Sequence, residues 1–210
     1  MTVSSFDENK IANIALSRIA GGSIDSITDP VSDLEATCAN IYTILVETLL
    51  AHEWNWAFAE AELAKNPDLT PLKDYTTAFR LPADMLSGPA AVYGDGATRN
   101  DGAWRIASDH LYCNYTTVII DYRRKPPVSE WPSYFVNLVI KAMEADLAMP
   151  VRENATLKAA LTQEAFGSPA ENGRGGLFGV AKRLDAQSKP IKSIFANGNP
   201  LTSARFGGFR

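Results

Sequence analysis

The stretch His52-Glu53-Trp54-Asn55-Trp56-Ala57-Phe58-Ala59 marks the point where the periodicity of this chain changes. Upstream of it, Leu34, Cys38, Ile41, Leu45 and Leu49 recur at steps of three and four, the spacing that lines one face of an α-helix. From Trp54 onward the period is two. Trp54, Trp56 and Phe58 alternate with Asn55, Ala57 and Ala59, as on a half-buried strand. Alternation returns over residues 75–81, where Tyr75, Thr77, Phe79 and Leu81 interleave with Thr76, Ala78 and Arg80. Pro82 closes that run, because proline removes a ladder donor. Residues 90–93, 104–107, 111–115 and 117–123 read as further strands. Between them lie the turn formers Gly94-Asp95-Gly96, Asn100-Asp101-Gly102 and Ser108-Asp109. Strands joined by such short turns pair antiparallel, which predicts a small β-meander.

Helical periodicity flanks this region on both sides. A first helix is predicted over 7–20, with Ile11, Ile14, Ala15 and Ile19 on one face and Gly21-Gly22 as a stop that supplies a left-handed residue. A second begins near Pro30, after Asp29, and runs to about His52. A third opens at Trp131-Pro132, carries Phe135, Leu138, Val139, Ala142 and Met143, and ends at Pro150. A fourth spans 152–166, with Leu157, Leu161 and Ala165 on one side. Gly167-Ser168-Pro169 and the glycines of 173–176 then break the pattern, leaving room for a short helix over 177–187. The expected fold is α+β: mainly an α-helical bundle of about four helices, built from 7–52 and 131–187. A small antiparallel β-meander, 54–124, is inserted between helices two and three. One domain would cover 1–190, and 191–210 would form an extended C-terminal tail.

Length and composition narrow the class. The 210 residues are 46% hydrophobic and 21% charged, enough apolar material for a sizeable core. No stretch approaches the apolar length of a membrane-spanning helix, and the first residues show no basic-then-apolar leader pattern. Cys38 and Cys113 stand far apart, which excludes a disulfide framework and a zinc–cysteine site and fits a reducing compartment. The formal net charge of −4 hides a gradient. Residues 1–64 carry two basic and ten acidic side chains, a net of −8, whereas 167–210 carry seven basic and two acidic, a net of +5. Such asymmetry points to surface contacts with partners.

Chemistry-bearing constellations are sparse. His52-Glu53 would need a second histidine at position 56 to form a zinc helix, and Trp56 stands there. His52 reads instead as a helix C-terminal residue favoured by the helix dipole, and His110 as an exposed turn residue. No catalytic, cofactor or metal residues are therefore assigned, and no cofactor is expected. Residues 173–176 lack the Lys-Ser/Thr pair of a phosphate loop, and Asp95, Asn100 and Asp101 do not match a calcium loop. The alternative enzyme reading rests on Glu60 and Glu62, which on a strand share one face roughly 7 Å apart and could serve glycoside hydrolysis. The Arg123-Arg124-Lys125 cluster is too short, on an acidic chain, to argue for nucleic-acid binding.

Several motifs, taken in order, resemble the tail tubular protein A family of bacteriophages, the head-to-tail adaptors or connectors. They are residues 15–22 (Ala-Leu-Ser-Arg-Ile-Ala-Gly-Gly) with Ile24-Asp25-Ser26-Ile27, then Trp54-Asn55-Trp56-Ala57-Phe58-Ala59 and Leu81-Pro82-Ala83-Asp84-Met85-Leu86. Ile120-Asp121-Tyr122-Arg123, Trp131-Pro132-Ser133-Tyr134-Phe135 and the segment 181–187 complete the series, which covers about 8–190. The chain departs from the pattern at 167–176, where a longer unbroken final helix is expected. The resemblance implies a structural virion protein of the neck, assembled in the host bacterium. It would form a dodecameric homo-oligomeric ring between the portal protein and the tail nozzle or tube, without contact to membrane. DNA would pass through the lumen during ejection without specific binding. Phe195, Arg205, Phe206, Phe209 and Arg210 of the tail are the expected docking residues: aromatic anchors and forked cations without a core of their own. The competing class is a tail-associated cell-wall or capsule hydrolase. A third is a helical binding module.

Overall fold

The computed structural model describes residues 6–69, 74–95, 98–99, 104–171 and 174–188. Among these are five α-helices: α1 Glu8–Arg18, α2 Asp33–Leu50, α3 Ser133–Arg152, α4 Ala155–Phe166 and α5 Gly176–Ala186. Seven strands lie between α2 and α3: β1 Phe58–Glu62, β2 Thr77–Arg80, β3 Met85–Gly94, β4 Thr98–Arg99, β5 Trp104–Ala107, β6 His110–Cys113 and β7 Val118–Arg124. They form two antiparallel sheets, ordered β1-β7-β3-β4 and β2-β6-β5. The expectation of a four-helix bundle carrying one small meander is thus overturned. The molecule is a mixed α+β fold with a fifth helix and a two-sheet β layer.

The reason lies in which faces must be buried together. A meander would pair each strand with the next, but β1 pairs with the last strand, from Phe58↔Arg123 to Glu62↔Ile119, and β2 pairs with β6. Phe79, Leu111 and Cys113 of the smaller sheet then share one core with Val92, Val118, Ile120 and Tyr122 of the larger. A single sheet of these strands would leave one of the two apolar sets in water. Strand β3 is longer than the expected 90–93, and its register with β7 is irregular between Met85 and Ala91, where Gly88-Pro89 interrupts the ladder. The Trp54-Asn55-Trp56 segment is not a strand. Asn55–Ala57 is a short 3-10 turn, and Trp54 and Trp56 pack with the helices.

The helices assemble around α3, which packs against each of the other four. Its Phe135, Leu138, Val139, Ala142, Met143 and Leu147 are buried. The expected stop at Pro150 is corrected, since α3 continues through it to Arg152 and turns at Glu153, with φ 50°. A proline in the last turn forfeits only one main-chain bond. α2 likewise starts later than Pro30. Ser32 caps it, with Glu35 completing a reciprocal capping box.

α1 ends as its glycines suggest, though by a different residue. The left-handed position is Ala20, φ 54°, with Ala20 N–H donating to Ser17 O (3.2 Å) and Gly21 N–H to Leu16 O (2.8 Å). Gly21 is needed for space: a Cβ there would stand 2.8 Å from Val151 Cγ1 and 3.0 Å from Leu16 Cδ2. An L-residue in the left-handed region costs about 1–2 kcal/mol, and glycine's extra unfolded-state freedom offsets part of that. Ala20→Gly should therefore stabilise the fold by about 0.5 kcal/mol. The check is a higher urea midpoint at an unchanged slope.

Candidate interaction surfaces

Two surfaces stand out, and each is held by a buried carboxylate. The first is built on α5. Asp185, on its inner side and buried, accepts from Asn55 N–H at 2.8 Å and Asn55 Nδ2 at 3.0 Å through Oδ2. Its Oδ1 accepts from the Tyr134 hydroxyl at 3.2 Å and from Trp56 N–H at 3.4 Å. Burial, and then the Asp185 charge, push the Tyr134 phenol well above its ordinary pKa. Around this anchor the rings interlock: Phe178 lies edge-on to Trp54 at 6.0 Å, and Phe135 touches Trp54, Trp56 and Trp131 at 5.0–5.2 Å. The sequence signal for α5 was weak because its N-terminal cap is Gly175, which offers no side-chain bond.

With the inner side of α5 so fixed, its outer side presents a concavity of about 380 Å³ lined by Arg174, Gly179, Lys182 and Arg183. Gly179 forms its floor, where any Cβ would run into the Arg174 backbone. Arg174, Lys182 and Arg183 make no ion pair among the described residues. Lys182 lies over the Phe178 ring, 5.3 Å from its centroid. Val180 and Leu184 are both exposed on the same helix; Val180, three residues before Arg183, is its surface neighbour, and Leu184 lies four residues after Val180. Sequence reasoning placed docking further along, at Phe195, Arg205, Phe206, Phe209 and Arg210, which lie outside the described residues. The +5 charge of the C-terminal quarter was the available pointer to the notch.

The second surface, residues 25–33, is the loop between α1 and α2 together with Asp33, the first residue of α2. It wraps the Glu35 carboxylate. Oε1 accepts from Asp25 N–H (3.0 Å) and Ser26 N–H (3.3 Å), and Oε2 from Val31 N–H (2.8 Å) and Ser32 N–H (2.9 Å). Helix α1 grips the same segment from below, with Asn13 Oδ1 accepting from Ile24 N–H and Asn9 Oδ1 from Ile27 N–H, both at 2.8 Å. Ile27 plugs the loop into the helical core, and the acidic side chains and Val31 face outward. Asp25, Asp29 and Asp33 are exposed without ion pairs among the described residues, and Val31 is 92% exposed. An apolar side chain on a firmly held, acidic loop is the mirror of the notch on α5.

Main-chain N–H donors, those of Ser32, Val31 and Asp25 foremost, hold the Glu35 carboxyl down at about 2. A depressed carboxylate contributes stability fully present above its unfolded value, 4.5, and lost as pH falls toward 2. Glu35→Gln should therefore be less stable than the parent at pH 6, with the gap closing between pH 4.5 and 2. Paired urea titrations at several pH values in that window provide the check. Asp95, held near 2 by Thr116 and Thr117, titrates in both proteins and cancels from the comparison.

The remaining sequence candidates sit in structural roles. Glu60 and Glu62 are exposed on β1, an edge strand. Glu60 stands opposite Asp121, which accepts from the Tyr93 hydroxyl at 2.9 Å, over a shallow depression of about 180 Å³. Such a face supplies none of the burial that keeps a glycosidase acid protonated near neutral pH. His110 is not an exposed turn residue: it opens β6, is 8% exposed, and lies between Asp109 Oδ1 (2.6 Å) and Asn66 Nδ2 (3.1 Å). His52 does not cap α2 through the dipole. Its ring packs on Trp54 and Phe178, and burial, followed by the Lys182 charge, lowers its pKa and favours the neutral form. Arg123 and Arg124 are engaged with Glu53 and Glu130. Among the described residues, no cluster of three or more histidine, cysteine or acidic side chains is arranged to hold a metal, and no helix is long and apolar enough to cross a membrane. The chain matches no family model and no curated protein sequence.

Proposed function

We propose that this chain is a structural head-to-tail adaptor of a bacteriophage, a subunit of a ring seated between portal and tail through which DNA passes. The observation that carries the reading is the coexistence, on one chain, of two charge-opposed and partly apolar surfaces whose ionic groups have no ion-pair partner among the described residues: the acidic loop 25–33 and the basic notch on α5. A closed ring needs two different complementary patches on each subunit, because each copy meets one neighbour on either side. The resemblance of the motifs over 8–190 to the tail tubular protein A family supports the same reading and supplies the portal, the tail and the DNA lumen as context. The carboxylates offered for hydrolysis lie on an open edge strand, which makes assembly the better-supported role.

Light scattering and negative-stain imaging test it, with the purified chain alone and mixed with portal rings. Closed rings, or a collar added to the portal, are expected. Hydrolysis of cell walls or capsule that disappears in Glu60→Gln or Glu62→Gln, with no ring under either condition, would replace this reading by an enzymatic one.

A further inference from the structure

We infer that the acidic loop 25–33 of one copy docks into the basic notch on α5 of the next copy, with Val31 as the apolar plug. The inference rests on the ring reading and specifies the interface that reading lacks. Charge is the first argument. The notch gathers three cations with no ion-pair partner among the described residues. The loop carries Asp25, Asp29 and Asp33, none of them paired among the described residues.

Shape and rigidity are the second argument. Val31, 92% exposed, is the most exposed of the large apolar side chains among the described residues, and the main chain around it is fastened by Glu35, Asn9 and Asn13. A side chain held out on such a loop pays little ordering entropy when it is covered. Beside the notch, Val180 is the surface neighbour of Arg183 at i,i+3, and Leu184 the neighbour of Val180 at i,i+4, so the two exposed side chains offer the valine apolar neighbours. Carboxylates on either side of Val31 then face Arg174 and Arg183, whose planar guanidinium groups suit forked contacts to carboxylates. Loop and notch are different surfaces, so the contact is heterologous and propagates from copy to copy. A patch this small binds weakly as a pair, and closure of many such contacts supplies the avidity.

The test uses the full chain in two single variants, Val31→Cys and Leu184→Cys, mixed and treated with a short bis-maleimide. Cys38 and Cys113 are buried, which leaves the introduced thiols as the reactive ones. A mixed cross-link is expected in excess of either self cross-link. It should fall by about tenfold in about 0.5 M salt, where screening shortens to below about 5 Å, and by a similar factor with Arg183→Glu in the notch partner. Asp29→Lys in the loop partner should restore it toward Arg183→Glu. Absence of the mixed product, or a product indifferent to salt and charge reversal, overturns the inference. Duplex DNA bound through Arg174 and Arg183 with no mixed cross-link overturns it too, and assigns the notch to a polyanion. The two levels separate cleanly. Closed rings without the cross-link sink this interface and keep the ring, while the cross-link with only open chains keeps the interface and sinks the ring.

Discussion

Phe135→Ala is expected to lower the stability of the fold by about 4 kcal/mol, the upper part of the range for truncating a fully buried aromatic ring. Phe135 is 0% exposed on the central helix, and its ring meets Trp131 edge-on at 5.0 Å, Trp54 edge-on at 5.2 Å and Trp56 at 5.0 Å. Removing it opens a void bounded by three indoles, two of which are tethered: Trp54 Nε1–H donates to Leu49 O at 2.7 Å and Trp131 Nε1–H to Pro126 O at 3.0 Å. Rings so tethered cannot collapse into the gap, and poor collapse is what makes a cavity expensive. Phe135→Leu should cost roughly half as much, since it retains most of the volume. Chemical denaturation of the three proteins gives the comparison. Equal midpoints for parent and alanine variant would mean the aromatic cluster does not bind helices to the 54–57 turn.

Asp185→Ala is the second large effect, and it differs in kind. The substitution strands Asn55 N–H, Trp56 N–H and the Tyr134 hydroxyl in a buried site, at about 3 kcal/mol in total. Because those bonds tie α5 to the rest, the loss is local. Hydrogen exchange should quicken over Gly176–Ala186 while the buried amides of α3 keep their protection. Uniform acceleration across the helices would show instead that α5 folds and unfolds with the whole domain. Asp185→Asn should recover only part of the loss, because an amide presents one acceptor and turns a donor toward the remaining donors.

Much of the helical half was legible because apolar residues at three- and four-residue steps can be satisfied in few ways. Leu34, Cys38, Ile41, Leu45 and Leu49 fall on one stripe by spacing; of these Cys38, Leu45 and Leu49 lie buried on α2, and Leu34 and Ile41 are half-buried. Start positions were less so: Ser32 and Glu35 spell a capping box, yet Pro30 drew the boundary three residues early. In the β region alternation identified most strands but not their partners. Nothing local in Phe58–Glu62 records that its neighbour lies some sixty residues on, in Val118–Arg124; that pairing is decided by which apolar faces must close on each other. Trp54 and Trp56 misled because alternating aromatics suit a strand as well as they suit a turn wedged under a helix. The candidate surfaces were visible only as a charge gradient. The notch depends on Gly179 packing against the Arg174 backbone, and the loop on Glu35 gathering four amides, and neither arrangement is written in spacing.

The central position of α3 also sets a schedule. α1 and α2 are synthesised first, but the helix they pack against begins at Ser133. At about 5–20 residues per second, the roughly 80 residues between Leu50 and Ser133 keep them waiting on the order of 4–16 s. Through that interval Ile11, Leu16, Leu45 and Leu49 have no α3 to cover them. The two-sheet layer can close once β7 has emerged, before α3 has emerged to pack. The nascent chain therefore closes its middle first and its ends last, and a ribosome stalled when Arg124 has just cleared the exit tunnel would display a β layer able to close, carrying a helical arm that α3 does not yet cover.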